Sequence, residues 1–224
     1  MAASVAASRA VLWDMDGTLV DSAEYHYQAW RETMAELGRT LARDEFAATF
    51  GQRNDAVLRR YIGPHVSADE IERTGTAKEE RYRALIAAAG IAPLPGVREW
   101  LARLQATGWR QAIASSGPRR NSEAILAALG VGGMFDLIVS AEDVGHGKPD
   151  PEVFLTAAER LGVAPARCVV VEDAPMGIEA GHRAGMATLG VLNTHPHLDA
   201  DRVVASLTEL APDAFEQLLH RSAT

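Results

Sequence analysis

Cysteine is all but missing from this chain: Cys168, in "RCVVVED", stands alone among 224 residues. No intrachain disulfide can form, and a buried thiol in a reducing compartment is the expectation. No apolar run approaches the roughly 20 residues that a membrane span needs. The opening "MAASVAASRA" has no apolar stretch behind a basic flank, which predicts no signal peptide and a cytoplasmic protein. Positive charge is outweighed as well. A formal net charge of -8 and a pI near 5.4 argue against nucleic acid or a membrane surface as a partner. Lysine is the scarcest charged residue, present only at Lys78 and Lys148, with arginine everywhere else. An ammonium is a compact point charge that fits where the planar guanidinium fork does not. These two lysines are therefore candidates for a role that needs the ammonium.

A chain of this length holds one substantial core, or a core with a smaller insertion. "RAVLWD" reads as a short buried strand ending at Asp14. Helices follow. "SAEYHYQAWRETMAELG" puts Tyr27, Trp30, Met34 and Leu37 on one face and closes at Gly38. Two short helices in "RDEFAATFG" and "NDAVLRRYIG" come next, then "SADEIERTGTAKEERYRALIAAAG", which opens on a capping box from Ser67 to Glu70. Past the Pro-rich "IAPLPGV" the pattern switches to short apolar strands ("WRQAIASS", "FDLIVS", "RCVVVED", "ATLGVL", "DRVVAS") alternating with helices. One of these helices, "DPEVFLTAAERLG", takes Asp150 as its N-cap and Pro151 as its first residue. Repeated strand–helix units predict an α/β protein with a doubly wound parallel sheet, interrupted after its first strand by an all-helical insertion. The expected division is a core first strand in 1–20, a helical cap in 21–93 and the rest of the core in 94–224, hinged near 21–22 and 93–95. A monomer is expected.

Asp14 and Asp16 close the first strand two residues apart, a spacing that points both carboxylates to one side of an extended segment. Two such anions repel unless a cation lies between them or one carries a proton. Asp before Gly is ordinary turn chemistry, which accounts for Asp16 and leaves Asp14 over. Three further strand ends carry polar groups: Ser115 with Ser116, Lys148 in the loop after "FDLIVS", and Glu172 with Asp173. Ligands bind outside the carboxyl ends of the strands in an open parallel sheet, so all four groups fall in one place. Acids with a lysine describe a divalent-metal phosphate site, in which the hard oxygens of Asp14 and Asp173 suit Mg2+. Asp16 can lend it a backbone carbonyl. A calcium loop of the EF-hand kind fails, because its sixth position is Leu19 where Gly is required.

In this order, "DMDGTLVDS", "IASSG", "GKPDPEVF" and "VVVEDAPMGIEAG" resemble the four motifs of the haloacid dehalogenase (HAD) superfamily of phosphotransferases. "DSAEYHYQAW" is similar to the matching stretch of its β-phosphoglucomutase-like phosphatases and mutases. The resemblance covers nearly the whole chain and implies a HAD-type core with a helical cap. It implies that Asp14 is the nucleophile that forms an aspartyl phosphate. Asp16 is then the general acid to the leaving group and the general base for the attacking hydroxyl or water. Ser115 and Ser116 bind the phosphoryl oxygens, and Lys148 neutralises charge on them and on Asp14. Mg2+ is the implied cofactor, with Asp14, Asp16, Asp173 and Glu172 as its residues. A free aspartate has a pKa of about 3.9, so Asp16 as an acid needs a site that favours its protonated form.

The insertion adds His26 and Lys78, where mutase-like relatives have a histidine and a lysine near the general acid, and Arg53, where they have an arginine that grips a phosphate. The sequence departs from the mutase pattern after Ser116, where "SSGPRRN" replaces a serine and a lysine by Gly117, Pro118, Arg119 and Arg120. Arg119 is expected to contact phosphate or an acidic substrate, or else to form with Arg120 a solvated pair. The implied activity is Mg-dependent phosphoryl transfer on a small phosphorylated sugar or similar metabolite, by a phosphatase or alternatively a β-phosphoglucomutase. A dehalogenase or a phosphonate hydrolase leaves Asp16 without a purpose. A non-catalytic module on the same fold leaves a full set of catalytic positions unexplained.

Overall fold

A computed structural model describes residues 8–221. Residues 1–7, on which most of the signal-peptide expectation rests, lie outside the described residues. Among the described residues no helix is long and apolar enough to cross a membrane. Strand β1 (Ala10–Trp13) alternates its contacts with period two: Val11 and Trp13 join one apolar cluster, Ala10 and Leu12 another. The strand reads as an unbroken apolar run because helices cover both of its faces.

Four helices follow β1: α1 (Ala23–Glu36), α2 (Arg43–Ala47), α3 (Asn54–Tyr61) and α4 (Ala68–Ala89). They share an apolar cluster of their own, built from Tyr27, Trp30, Met34, Leu41, Phe46, Val57 and Leu58. Leu37, expected on that face, is 40% exposed because the helix has already ended there. Ser67 caps α4 by accepting from the Glu70 N–H. The chain leaves and re-enters the core side by side. Val20 pairs with Pro93 in an antiparallel bridge, and Leu94 N–H donates to the Leu19 carbonyl at 2.9 Å.

The remainder alternates helix and strand: α5 (Val97–Ala106), β2 (Arg110–Ala114), α6 (Arg119–Leu129), β3 (Leu137–Val139), α7 (Glu152–Leu161), β4 (Cys168–Glu172), α8 (Pro175–Arg183), β5 (Ala187–Val191), β6 (Arg202–Val204) and α9 (Ala214–Arg221). The six strands run parallel in the order β3-β2-β1-β4-β5-β6. Helices α5, α6 and α9 cover the Val11/Trp13 face, and α7 and α8 the other. Helix α7 begins one residue later than its sequence suggested. Pro151 is its N-cap, while Asp150 Oδ1 still accepts from Glu152 N–H at 3.0 Å. A single 3-10 turn, Ala141–Asp143, follows β3. Cys168 is buried, which pushes its thiol up to about 12 and leaves it unreactive.

This order makes β2, β1 and β4 neighbours, so their carboxyl ends present Asp14, Ser115 and the Glu172–Asp173 pair together. The ladder runs on into these residues: Asp14 N–H donates to the Val171 carbonyl and Ser115 N–H to the Val139 carbonyl, both at 3.0 Å. The sheet therefore fixes the backbone of the site.

Candidate active site

Lys148 is the hub at the strand ends. Its Nζ donates to Asp14 Oδ1 at 2.6 Å, Glu172 Oε1 at 2.7 Å and the Ala114 carbonyl at 3.0 Å, which accounts for all three ammonium protons. Burial alone would lower the lysine pKa, but Asp14 and Glu172 outweigh it and hold the ammonium charged. Glu172 Oε2 accepts from the backbone N–H of Asp173 and of Ala174, each at 3.0 Å. Asp173 accepts from the hydroxyls of Thr18 and Thr194. The packing leaves no room for side chains nearby. A Cβ on Gly177 would fall 1.8 Å from Glu172 Oε1, and one on Gly17, where φ is +92°, would fall 2.0 Å from Asp173 Oδ2.

Asp14, Glu172 and Asp173 offer carboxylate oxygens that all lie within 4.8 Å of one another. Burial, together with the Glu172 charge, pushes the Asp14 carboxyl well above its usual range in spite of Lys148. The same two causes push Asp173 up to about 7. One ammonium does not balance three buried acids, and hard oxygens so close together fit a divalent cation such as Mg2+. The turn at Asp16 and Gly17 therefore does not account for Asp14, whose carboxylate sits with Glu172 and Asp173 in a set that fits a cation.

Asp16 faces a different set of partners. Its Oδ1 accepts from Ser22 Oγ at 2.6 Å and Tyr82 OH at 3.0 Å, and lies 3.2 Å from His26 Nε2. Burial pushes this carboxyl up, but His26, Ser22 and Tyr82 together overcome it and hold Asp16 well below the usual carboxylate range. The sequence predicts a site that keeps Asp16 protonated; the structure instead surrounds it with three converging donors, which favour the anion. The His26 ring stacks on Tyr82, with centroids 3.8 Å apart and planes at 16°. Lys78, only 2% exposed, lies 2.7 Å from His26 Nδ1 and donates to Glu79 Oε1 at 2.9 Å. Its ammonium is thus balanced within the helical insertion.

Asp14, Asp16, His26, Lys78, Ser115, Ser116, Lys148, Glu172 and Asp173 all line one cavity of about 50 Å3, with Trp30, Phe46 and Phe50 on its apolar side. Two expected residues do not. Arg53 donates instead to the carbonyls of Ala141 (3.2 Å) and Val144 (3.0 Å), in and just after the 3-10 turn that follows β3. Arg119 donates to the Ile138 carbonyl at 2.9 Å and to Asp143 at 2.7 Å, a carboxylate that also binds Arg160. In this arrangement neither guanidinium lines the cavity. Sequence reasoning also missed Ser22, Glu79, Tyr82, Asn121, Thr18 and Thr194. For Tyr82 a signal existed, since it lies four residues after Lys78 on one helical face.

The family model for haloacid dehalogenase-like hydrolases matches residues 8–185. The chain belongs to this family. Two curated members show how closely it is related to known HAD enzymes. It is 34% identical to β-phosphoglucomutase of Bacillus subtilis, across 93% of this chain and 94% of that one. It is also 34% identical to fructose-1-phosphate phosphatase YqaB of Escherichia coli, across 81% and 95%. Among solved HAD structures, CbbY from Rhodobacter sphaeroides in complex with xylulose 1,5-bisphosphate superposes with a TM-score of 0.84, at 30% identity, covering 91% of this chain and 96% of that one. The protein is accordingly a HAD-type enzyme of phosphoryl transfer, with a HAD fold and a helical cap.

Proposed function

We propose that the protein is a phosphatase that hydrolyses a small sugar monophosphate or similar metabolite through an aspartyl phosphate on Asp14. The observation that carries hydrolysis over mutase chemistry is where the cations of the cap and its rim point. A mutase must hold a bisphosphate, and so needs a second phosphate grip besides the one around Asp14. Arg53 is spent on two backbone carbonyls, Arg119 on Asp143, and Lys78 is balanced by Glu79. A monophosphate with water as acceptor suits such a site.

In the proposed reaction an oxygen of Asp14 attacks phosphorus, the ester P–O bond breaks, and the leaving oxygen takes a proton from Asp16. Water then attacks the same phosphorus, gives a proton to Asp16 and releases Asp14 with inorganic phosphate. Ser115 and Ser116 hold phosphoryl oxygens while Lys148 offsets their charge. Asp14, Asp173 and the Asp16 backbone carbonyl, supported by Glu172, would hold Mg2+, which when bound neutralises charge on the transferring group. A phosphate dianion arriving beside Asp16 favours its protonated form, which the first step needs. The cavity of about 50 Å3 has room for a phosphoryl group and far less than the ~300 Å3 at which ligand pockets begin. The cap must therefore swing away to admit substrate and close to exclude water, bending where Val20 meets Pro93.

A β-phosphoglucomutase is the second reading, favoured by the similarity to the Bacillus subtilis enzyme of that name along 93% of the chain. The deciding experiment supplies β-glucose 1-phosphate with a trace of the 1,6-bisphosphate and follows glucose 6-phosphate against free phosphate. The phosphatase reading expects free phosphate to dominate. Glucose 6-phosphate forming much faster overturns it. Fructose 1-phosphate, which the Escherichia coli relative is named for, is the first alternative substrate to try.

A further inference from the structure

We propose that Glu79 and Asn121 are positioning residues that set the hydrogen-bonding state of His26, and through it of Asp16, when cap and core meet. The inference rests on the acid/base reading of Asp16. Its basis is a buried chain of side chains in which the direction of every hydrogen bond is forced. Arg83 donates to Asn121 Oδ1 at 2.9 Å, and a guanidinium has no other option. The Asn121 amide is thereby oriented with Nδ2 toward Glu79 Oε2, at 2.6 Å. Glu79 Oε1 accepts from Lys78 at 2.9 Å and from Asn54 at 2.9 Å. An ammonium only donates, so His26 Nδ1 must accept from Lys78 and the ring proton must sit on Nε2, the nitrogen facing Asp16.

The chain crosses the seam between the two parts of the molecule. Glu79 and Lys78 belong to α4 of the insertion, whereas Asn121 lies in the first turn of α6 on the sheet. Glu79 is 4% exposed and Asn121 3%, so side chains rather than bulk water supply most of their partners. With Glu79 fully bonded, Lys78 is held pointing at His26. If Glu79 loses its charge or its Asn121 partner, the contacts that aim Lys78 at His26 Nδ1 are no longer fixed, and the ring is free to turn or to place its proton on Nδ1. Nε2 would then present a lone pair to the Asp16 carboxylate, and the donor that now steadies Asp16 would be gone. A carboxylate that seems remote from the chemistry thus governs the group that exchanges the proton.

The test compares Asn121→Asp, which keeps shape and the acceptor for Arg83 but removes the donor, with Glu79→Gln and Asp16→Asn. Each is assayed on p-nitrophenyl phosphate, whose leaving group needs no proton, and on 2-glycerophosphate, whose leaving group does. Asn121→Asp and Glu79→Gln are expected to lose about tenfold in kcat on 2-glycerophosphate, part of the roughly 100- to 10,000-fold that a general acid–base group supplies. Their loss on the aryl ester should be several-fold smaller. In wild type, 15N resonances of the His26 ring should show the proton on Nε2, and both variants should lose that pattern. Equal losses on both esters with the Nε2 pattern kept would mean that Glu79 and Asn121 only pack the cap, and would overturn the inference while leaving the phosphatase reading intact. If Asp16→Asn itself fails to discriminate between the esters, the acid/base reading falls, and this inference with it.

Discussion

Arg53→Met removes a guanidinium and keeps a long apolar stem. The Arg53 Nη1 donates to the carbonyls of Ala141 at 3.2 Å and Val144 at 3.0 Å, and Nε lies 3.4 Å from Asp55. The contact to Asp55 stays within one stretch of the cap and does not depend on closure. The other two join cap to core. A hydrogen bond from a charged donor is worth about 1.5–3 kcal/mol. The arginine side chain is 25% exposed, however, and both carbonyls gain water when the cap lifts. About 1–2 kcal/mol is the share that depends on closure, so deletion should move the open-to-closed ratio by roughly 5- to 30-fold. Amide hydrogen exchange over the Ala141–Asp143 turn and the two linkers should rise accordingly. Unchanged exchange, combined with a large loss of affinity for a sugar bisphosphate, would refute this reasoning and restore Arg53 as a phosphate grip.

Further outcomes follow from the same geometry. Gly177→Ala places a Cβ 1.8 Å from Glu172 Oε1, so it should displace that carboxylate, cut turnover and cost about 1–3 kcal/mol in a denaturant titration. Asp143 is held well below the usual carboxylate range: burial opposes this, but Arg160, Ser140 and Arg119 prevail. A depressed folded pKa stabilises above the unfolded value of about 3.9 and is lost as pH falls toward the folded one. Asp143→Asn should therefore melt below wild type at neutral pH, with the gap narrowing in acid. Chelation should abolish turnover, and Mg2+ at about 100 times its Kd should add about 2.7 kcal/mol to stability, read as a rise in Tm.

The strands and helices were readable because each buried strand is a short apolar run and each helix carries its punctuation, as at Ser67 and Gly38. The acids and serines at strand ends were readable for a related reason: the sheet places every strand end on one side, so position along the chain converts directly into position in space. Arg53 and Arg119 were not, because a long side chain reaches whichever acceptors tertiary packing brings near. The carbonyls of Ala141, Val144 and Ile138 that accept from these arginines leave no trace in sequence. Asp16 shows a subtler failure. Its neighbours in sequence are an apolar residue and a glycine, whereas its protonation is governed by Ser22, His26 and Tyr82, two of which come from α1 and α4. The scarcity of lysine did carry information, since both lysines are buried beside carboxylates in the cavity wall.

Beryllium fluoride mimics a phosphoryl group on a carboxylate, and its 19F resonances report whether it is bound, with no need for turnover. With Mg2+ present, wild type should show bound fluoride resonances distinct from those of the free complex, while folded Asp14→Asn should show only the free ones and no phosphatase activity. Bound resonances in both proteins, or turnover at the wild-type rate in Asp14→Asn, would contradict an aspartyl phosphate at Asp14.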